Sequence, residues 1–355
     1  MRIIHTADMH IGSALTARLP QDKVRQRKSE LIATFERMAE EAVYVGARLF
    51  IIAGDMFDTG SVPKRTLERI VSIIARTTSV DFLYLSGNHE KNALIESGIE
   101  LPENLKIFDT GWTYFRYGEV TVVGRTQTEA GMFDSLEIDP SEKNIVVLHG
   151  AVGDRSDTDT VGLREAANRG IDYIALGHYH SYAVYEVDEL CRAVYSGTPE
   201  GRGFDEAGEK GYVIVDTSAR IVQHKFVPKA KRRLRIIELD ISHLSSRIQI
   251  IDGANELLRV IPADDMVRLE LTGTRPPELF PDTNDIVAKW ADRFYYFEVK
   301  DSSRTEIDPE AYRYDKSLKG EFIRLCMSRT DLSDEDREDI IRAGLAALMG
   351  EDVEI

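Results

Sequence analysis

Five short apolar runs within the first 180 residues each end in a turn rich in Gly, Asp, Asn or His. The runs are rich in β-branched residues, which predicts buried strands. Between some of them, apolar residues recur at helical spacing, from Lys23 to Val45 and again from Pro63 to Arg76. Alternating strands and helices predict an α/β layered fold. With their turns, the runs read RIIHTADMH, RLFIIAGDMFD, FLYLSGNHE, NIVVLHG and YIALGHYH.

The pattern changes near Pro228, and this change predicts further domains. Three more strand-like runs, EVTVVG, AVYSG and GYVIVD, extend the first domain to residue 228. MVRLELTGT and RFYYFEVKD, with the helical NDIVAKWADRF between them, predict a small α+β domain over residues 229–300. We expect residues 301–319 to be a linker. Residues 320–355 would be a helical segment, whose last helix begins after Ser333 and stops at Gly350.

Composition narrows the class of protein only slightly. The chain has 355 residues, of which 43% are hydrophobic, enough for a sizeable core. No apolar stretch approaches the ~20 residues that span a membrane, and the N-terminus lacks the order of a signal peptide. Cys191 and Cys326 are too few for a disulfide framework. We therefore expect reduced thiols and a cytoplasmic protein with no membrane association.

The formal net charge of −16 argues against a protein that grips nucleic acid by bulk charge alone. It does not exclude a local basic channel, a partner that binds the DNA, or metal ions that offset the charge of carboxylates. Charge thus makes DNA a less expected ligand without excluding it.

The turns at the five strand ends hold most of the candidate chemistry. Parallel strands would bring these turns to one edge of a sheet, where sites form in open α/β folds. Imidazole together with carboxylate and amide oxygen suits divalent manganese, iron or zinc. Seven ligands are too many for one ion and suit two ions about 3.5–4 Å apart. The candidate ligands are Asp8, His10, Asp55, Asn88, His149, His178 and His180.

In this order, DMH, GDMFD, GNHE, HG and GHYH resemble the signature of the calcineurin-like metallophosphoesterases, over about residues 1–200. The resemblance implies a sandwich of two mixed sheets flanked by helices, and two divalent ions. Manganese is the expected metal, with iron, zinc or magnesium as alternatives. One ion would be held by Asp8, His10, Asp55 and His180. The other would be held by Asp55, Asn88, His149 and His178, with Asp55 bridging the two.

The resemblance also implies a catalytic histidine, His89, which would contact the scissile phosphate and protonate the leaving oxygen while an activated water attacks phosphorus. Glu90 either holds His89 in orientation or caps the following helix. Many nuclease members have Asp at that position, so Glu90 is a mild departure. Asp58 stands where some relatives have a histidine, and we interpret it as a turn residue or a residue behind the ligands. We expect His5 to lie in the core.

Three features favour DNA as the substrate. The block VYSGTPEGRGFDEAGEKGYVIVD resembles the one that follows the last metal histidine in SbcD-type DNA exonucleases. The small α+β domain resembles their capping domain. The terminal amphipathic helix resembles the segment that docks on an SMC-like coiled-coil ATPase, although such a helix also packs on its own domain. We therefore predict a DNA exonuclease or endonuclease for DNA repair. The alternatives are a phosphodiesterase for a small nucleotide or lipid, and a non-catalytic DNA-tethering scaffold.

Three basic residues are candidates for substrate binding. Arg202, between two glycines, would contact phosphate or stabilise a loop. Lys231 and Arg232 belong to the cluster PKAKRRLR, which predicts either a DNA path or a basic linker. The resemblance also suggests a homodimer, in which the apolar stripe of the helix at Pro63–Arg76 would lie at the interface. A helix that simply covers the sheet is the favoured explanation of the stripe.

Overall fold

The computed structural model describes residues 1–15, 17, 19–59, 62–87, 90, 94–276, 279, 281–306, 312 and 314–349. The chain divides into two compact units, Met1–Arg235 and Ile236–Ile355. The sequence predicts a boundary after residue 228, followed by a domain to residue 300, a linker over 301–319 and a helical segment over 320–355, and this division stays a prediction. Among the described helices, none has the length and apolar character needed to cross a membrane.

The first unit contains fourteen complete strands and three α-helices among its described residues. The strands are β1 (Arg2–Thr6), β2 (Ala47–Ala53), β3 (Asp81–Leu85), β4 (Leu105–Ile107), β5 (Thr113–Tyr117), β6 (Val120–Gly124), β7 (Lys143–His149), β8 (Ala151–Gly153), β9 (Thr160–Gly162), β10 (Tyr173–Gly177), β11 (Ala183–Glu186), β12 (Arg192–Tyr195), β13 (Gly211–Asp216) and β14 (Gln223–Pro228). The helices are α1 (Gln21–Tyr44), α2 (Lys64–Arg76) and α3 (Leu163–Ala166), with 3-10 turns at Met132–Ser135 and Phe204–Glu206.

Two six-stranded mixed sheets form the framework of this unit, which confirms the predicted mixed α/β fold. One sheet has the order β14-β13-β1-β2-β3-β4 and the other β11-β12-β10-β7-β6-β5. The five strands that carry the candidate turns are β1, β2 and β3 in the first sheet, and β7 and β10 in the second. Each runs parallel to its neighbours in this group, so the turns leave each sheet at one edge.

Apolar side chains fill the space between the two sheets, and a second set covers the outer face of the first sheet. One cluster joins residues of both sheets, including Ile51, Val147 and Val213. On the outer face, α1 and α2 bury Phe35 and Ile70 against the sheet. The predicted stripe of α2 is therefore used within its own unit, as expected of a helix that covers a sheet. The homodimer stays a prediction.

The second unit has a small α+β core, with β15 (Leu234–Asp240) spanning the division between the units. The other elements are α4 (Arg247–Leu258), β16 (Met266–Thr272), β17 (Thr274–Arg275), α5 (Thr283–Trp290), β18 (Tyr296–Asp301), β19 (Arg304–Thr305), α6 (Leu318–Met327) and α7 (Asp334–Met349). Strands β15, β16 and β18 form a three-stranded sheet, and α6 packs on α7 through Ile323, Ile341 and Leu345. Ser333 accepts a hydrogen bond from the backbone of Asp336 at the start of α7, as predicted for its N-cap. The predicted stop at Gly350 lies outside the described residues.

Candidate metal centre

Strand ends of both sheets bring five of the predicted ligands into two overlapping groups. Asp8, His10 and His180 present ligand atoms within 4.8 Å of one another, and Asp8, Asp55 and His149 do the same. The Nε2 atoms of His10 and His180 are 3.2 Å apart. Asp55 Oδ2 lies 3.7 Å from Nε2 of His10 and 3.3 Å from Nε2 of His149. Asp55 thus lies between imidazoles of the two groups, and Asp8 belongs to both groups. The bridging role of Asp55 stays a prediction.

The backbone of four predicted ligands adopts the left-handed region that L-residues rarely occupy. Asp8 has a φ of 52°, His10 of 43°, Asp55 of 49° and His178 of 106°. Each such conformation costs about 1–3 kcal/mol and persists only where the surroundings impose it. Here hydrogen bonds tie the turns together, because Asp8 N donates to Gly54 O at 3.0 Å and His10 N donates to Asp55 O at 2.9 Å. The strain is concentrated in the residues that face one another across the site.

The glycines of the turns leave room for the ligand side chains. A Cβ atom on Gly54 would lie 2.0 Å from Nδ1 of His149, and one on Gly87 would lie 2.1 Å from Oδ1 of Asp55. A Cβ atom on Gly177 would lie 1.8 Å from the carbonyl oxygen of Ala53. The Gly that precedes Asp, Asn or His in these motifs is therefore needed for packing around the site as well as for the turn.

Hydrogen bonds behind the imidazoles fix which nitrogen faces the site. His149 Nδ1 donates to the carbonyl oxygen of Ala53 at 2.9 Å. His180 Nδ1 donates to the carboxylate of Glu206 at 2.8 Å. In both residues Nε2 is left to face the other candidate ligands, which is the arrangement that metal-binding histidines use.

The residues present fit divalent cations. The site gathers two buried carboxylates and several imidazole nitrogens with no thiol, a donor set that suits manganese, iron or zinc. Burial raises the pKa of Asp8 to about 6, although the neighbouring histidines work in the opposite direction. Burial opposes protonation of His149, yet the nearby Asp55 and Asp8 carboxylates raise its pKa to about 9. A cation at Nε2 of His149 is therefore stabilised by the site, and a metal ion can take the place of that proton.

Comparison with known families agrees with this geometry. The family model described as calcineurin-like phosphoesterase matches residues 1–182, which is more than half of the chain. The chain belongs to this family. It is also similar to a Bacillus subtilis (strain 168) protein named "Uncharacterized metallophosphoesterase YhaO", with 23% identity over 302 residues that cover 78% of this chain and 72% of that protein.

In this phosphoesterase, His178 lies next to Asp8 and His149. Its backbone N–H donates to both oxygens of Asp8, at 2.9 and 3.1 Å. The ring lies 5.5 Å from that of His149, centre to centre, and at right angles to it. Burial and the charge of His149 lower its pKa, which favours the neutral imidazole that a metal ion binds. Its predicted partner ligand, Asn88, and the predicted catalytic His89 lie outside the described residues.

Glu90 joins two of the turns. Its fully buried carboxylate accepts hydrogen bonds from Phe57 N at 2.7 Å and from Gly87 N at 3.0 Å. Burial raises its pKa to about 7 in spite of these donors. The carboxylate thereby holds the turn after β2 against the turn after β3. Its predicted catalytic role beside His89 stays a prediction.

The three predicted substrate-binding residues differ in their surroundings. Arg202 lies next to the site and contacts Glu206 and Asp58. Lys231 is exposed, and its backbone N–H donates to Glu200. Arg232 is only 5% exposed and forms an ion pair with Glu30 at 2.7 Å, which argues against a direct contact with DNA.

Two residues near the site carry no role in the sequence analysis. Glu206 holds His180, and Glu200 is a fully buried carboxylate that accepts from Arg27 and Thr34 of α1. Both belong to the block from Val194 to Asp216, whose resemblance to nucleases was the only signal that could have pointed to them. Asp58 was expected behind the ligands, and it lies 3.3 Å from Nδ1 of His10. His5 is fully buried, as predicted.

Proposed function

We propose that this phosphoesterase hydrolyses phosphodiester bonds of DNA and works in DNA repair with an SMC-like coiled-coil ATPase. The observation that carries the substrate class is Tyr179, which stands between the predicted ligands His178 and His180 and is 52% exposed. Aromatic side chains at such positions stack on nucleobases, which every nucleotide next to a scissile phosphate provides. This residue therefore favours a phosphodiester that carries a base.

Neighbouring aromatic residues hold Tyr179 in place. Its ring packs edge-on against Tyr195, with the ring centres 5.6 Å apart. Tyr195 is buried, and its hydroxyl donates to the carbonyl oxygen of Gly150 at 2.6 Å. Tyr185 also packs against the Tyr195 ring, with the ring centres 6.0 Å apart. Because a fixed ring supports its edge, Tyr179 can offer a face to a base at little cost in entropy.

The chemistry follows from the donor set. Two divalent ions, when bound, would supply the Lewis acidity that activates water and offsets charge on the phosphoryl oxygens. Asp8, His10, Asp55 and His180 would hold one ion, while Asp55, Asn88, His149 and His178 would hold the other. His89 would donate a proton to the leaving oxygen. Glu90, the next residue in the sequence after His89, would hold the turns after β2 and β3 together.

Binding of duplex DNA would require more positive charge than the first unit itself presents. In the basic segment before β15, Lys229 pairs with Glu41 at 2.7 Å, Arg233 pairs with Glu209, and Arg232 pairs with Glu30. These pairs reduce the positive field that a phosphate backbone would meet. Lys231 is exposed and is the predicted phosphate contact in this segment. Tight binding of duplex DNA is therefore assigned to the partner.

The partner would dock on the C-terminal helices. On α6, Leu318 is 70% and Leu325 is 65% exposed, and they lie seven residues apart on one helix face. On α7, Ile341 and Leu345 are already buried against α6, while Ile340 and Leu348 are partly exposed. A coiled coil with an apolar seam would cover these side chains.

The test is release of nucleotides from linear duplex DNA in the presence of Mn²⁺, with and without the ATPase. We expect Mn²⁺-dependent release that His89→Gln reduces by at least a hundredfold, because the leaving oxygen then lacks its acid. Absence of metal-dependent DNA cleavage under both conditions would contradict the proposal. Turnover of a small nucleotide or lipid phosphodiester far above that of DNA would favour the rival function.

A further inference from the structure

A buried acid–base cluster lies directly behind His10 and His180, whose Nε2 atoms are 3.2 Å apart. Glu206 is 4% exposed, and its carboxylate accepts a hydrogen bond from Nδ1 of His180 at 2.8 Å. The same carboxylate accepts three hydrogen bonds from Arg202, from the backbone N at 2.8 Å, from Nε at 3.0 Å and from Nη2 at 2.5 Å.

Arg202 also reaches the residue behind His10. Its Nη1 atom lies 3.5 Å from Oδ1 of Asp58, and that oxygen lies 3.3 Å from Nδ1 of His10. The guanidinium of Arg202 therefore contacts two carboxylates, that of Glu206 behind His180 and that of Asp58 behind His10. The planar fork of an arginine suits this double contact, whereas a lysine offers a single point of charge.

The contacts decide the tautomer of each imidazole. Nη2 of Arg202 also lies 3.2 Å from Nδ1 of His180, but the contact of Nδ1 with the Glu206 carboxylate is shorter and charge-assisted. His180 therefore carries its proton on Nδ1 and presents the Nε2 lone pair to the site. Asp58 Oδ1 lies 3.3 Å from Nδ1 of His10, without a hydrogen bond, and its charge favours a proton on that nitrogen. Two lone pairs 3.2 Å apart repel each other unless a cation lies between them or near both.

We propose that Arg202, Glu206 and Asp58, here named the Arg202 clamp, position His10 and His180 as ligands of the same metal ion. Glu206 and Asp58 fix the tautomers and make the imidazoles better donors. Arg202 holds both carboxylates in place and offsets part of their charge. Its side chain is only 13% exposed and makes its contacts within the protein, so it acts on the metal site and not on a substrate phosphate. This inference rests on the two-ion site of the proposed function.

The clamp is tested by the affinity of the metal-free full-length chain for Mn²⁺, measured by isothermal titration calorimetry without DNA. Wild-type protein is expected to bind two Mn²⁺ ions. In Glu206→Ala and in Arg202→Gln, one of the two ions should bind about 10–100-fold more weakly, as loss of a partner behind a metal histidine does elsewhere. The second ion, assigned to Asp55, Asn88, His149 and His178, should keep its affinity within about threefold.

Glu209→Gln is the matched control, because Glu209 lies three residues further along and pairs at the surface with Arg233. It should leave both affinities unchanged. Circular dichroism of each metal-free variant checks the fold. If Glu206→Ala does not fold, then Glu206→Gln, which keeps an acceptor oxygen but loses the charge, takes its place and should weaken one ion by a smaller factor.

Separate outcomes contradict the clamp and the function. Two Mn²⁺ ions bound equally well by wild type and all clamp variants would contradict the clamp alone. A higher KM for DNA in Arg202→Gln with unchanged Mn²⁺ affinity would also contradict it, since Arg202 would then contact substrate. A wild-type chain that binds no Mn²⁺ would contradict the proposed function as well.

Discussion

Gly87 lies beside the carboxylate of Asp55 and leaves space that any other residue would fill. A Cβ atom at this position would lie 2.1 Å from Oδ1 and 2.5 Å from the backbone N of Asp55. Gly87→Ala should therefore displace Asp55 and lower Mn²⁺ affinity and phosphodiesterase activity by at least tenfold. Gly111→Ala is the control, because a Cβ there meets nothing within 4 Å. Equal activity in both variants would contradict the assigned position of Asp55.

Tyr179 gives a second test at a single residue. Tyr179→Ala should raise the KM for DNA by about 5–100-fold, since base stacking contributes roughly 1–3 kcal/mol. The kcat and the affinity for Mn²⁺ should stay unchanged, and Tyr179→Phe should retain most of the wild-type KM. Tyr44→Ala serves as control, because Tyr44 is 86% exposed at the far end of α1. An unchanged KM in Tyr179→Ala would remove the main argument for a base-bearing substrate.

His5 couples the stability of the first unit to pH. It is fully buried between the Tyr173 hydroxyl at 3.0 Å and the Leu176 carbonyl at 3.2 Å, and burial lowers its pKa to about 3. In the unfolded chain the pKa of a histidine is about 6.5, so below pH 6.5 the unfolded state takes up a proton that the folded state refuses. Stability is therefore lost as pH falls from 6.5 towards 3, and is unaffected above that range.

Comparison of wild type with His5→Gln checks this coupling. Urea unfolding in EDTA at pH 7.5 and pH 5.5 should show that wild type loses about 1.4 kcal/mol more than the variant over this interval. Parallel losses in the two proteins would show that folded His5 takes up a proton as readily as it does in the unfolded chain.

The strand-end residues could be predicted because each follows an apolar run, and parallel strands bring such ends together. Asp8, His10, Asp55, His149 and His180 indeed converge. The burial of Arg232 could not be predicted, because its partner Glu30 is 202 positions away in the chain. The contact of Glu206 with His180 depends in the same way on how a loop folds back.

At the scale of elements, Glu200 connects helix α1 to the loop after β12. Its buried carboxylate accepts from Arg27 Nη2 at 3.1 Å, from Thr34 Oγ1 at 2.6 Å and from the backbone N of Lys231. Arg27 also donates to the carbonyl oxygen of Gly201, one residue before Arg202. Glu200 and Arg27 thereby connect helix α1, the basic segment and the loop that carries Arg202 and Glu206.

Loss of this connection should be costly. Glu200→Ala leaves the buried charge of Arg27 with only part of its pairing and should reduce the free energy of unfolding by about 3–5 kcal/mol. The exposed pair of Glu209 and Arg233 should contribute less than about 1 kcal/mol when removed by Glu209→Ala. Urea unfolding followed by Trp112 fluorescence, in a Trp290→Phe background, reports on the first unit alone. Equal effects of the two substitutions would contradict the role of Glu200.

Periodicity predicted some elements closely and missed others. Helices α1 and α2 lie within two residues of their predicted ends, because an apolar stripe on each faces a sheet. Helix α4 was not predicted, since it contains Gly253 and exposes Ile248 among its apolar residues, which blurs the stripe. Strand β19 lies inside the predicted linker, where two residues are too few for a pattern to show.

At the scale of the whole molecule, the sequence predicted the class of chemistry more firmly than its target. The site of the phosphoesterase unit depends on five turns at the ends of strands, and parallel pairing of these strands brings the turns together. The second unit offers no comparable group of ligands among its described residues, so its part in choosing a substrate rests on resemblance alone. The net charge of −16 adds that a DNA substrate would be held by local contacts and a partner, not by the overall field.

The most direct test of the account is Mn²⁺-dependent cleavage of end-labelled linear duplex DNA by wild type and by Asp55→Asn. Asp55 lies between His10 and His149, so its charge is required by both predicted ions. We expect cleavage that requires Mn²⁺, stops with EDTA and falls by at least a thousandfold in Asp55→Asn, since both ions lose a ligand. Cleavage that persists in EDTA, or an Asp55→Asn variant as active as wild type, would contradict the two-ion phosphodiesterase.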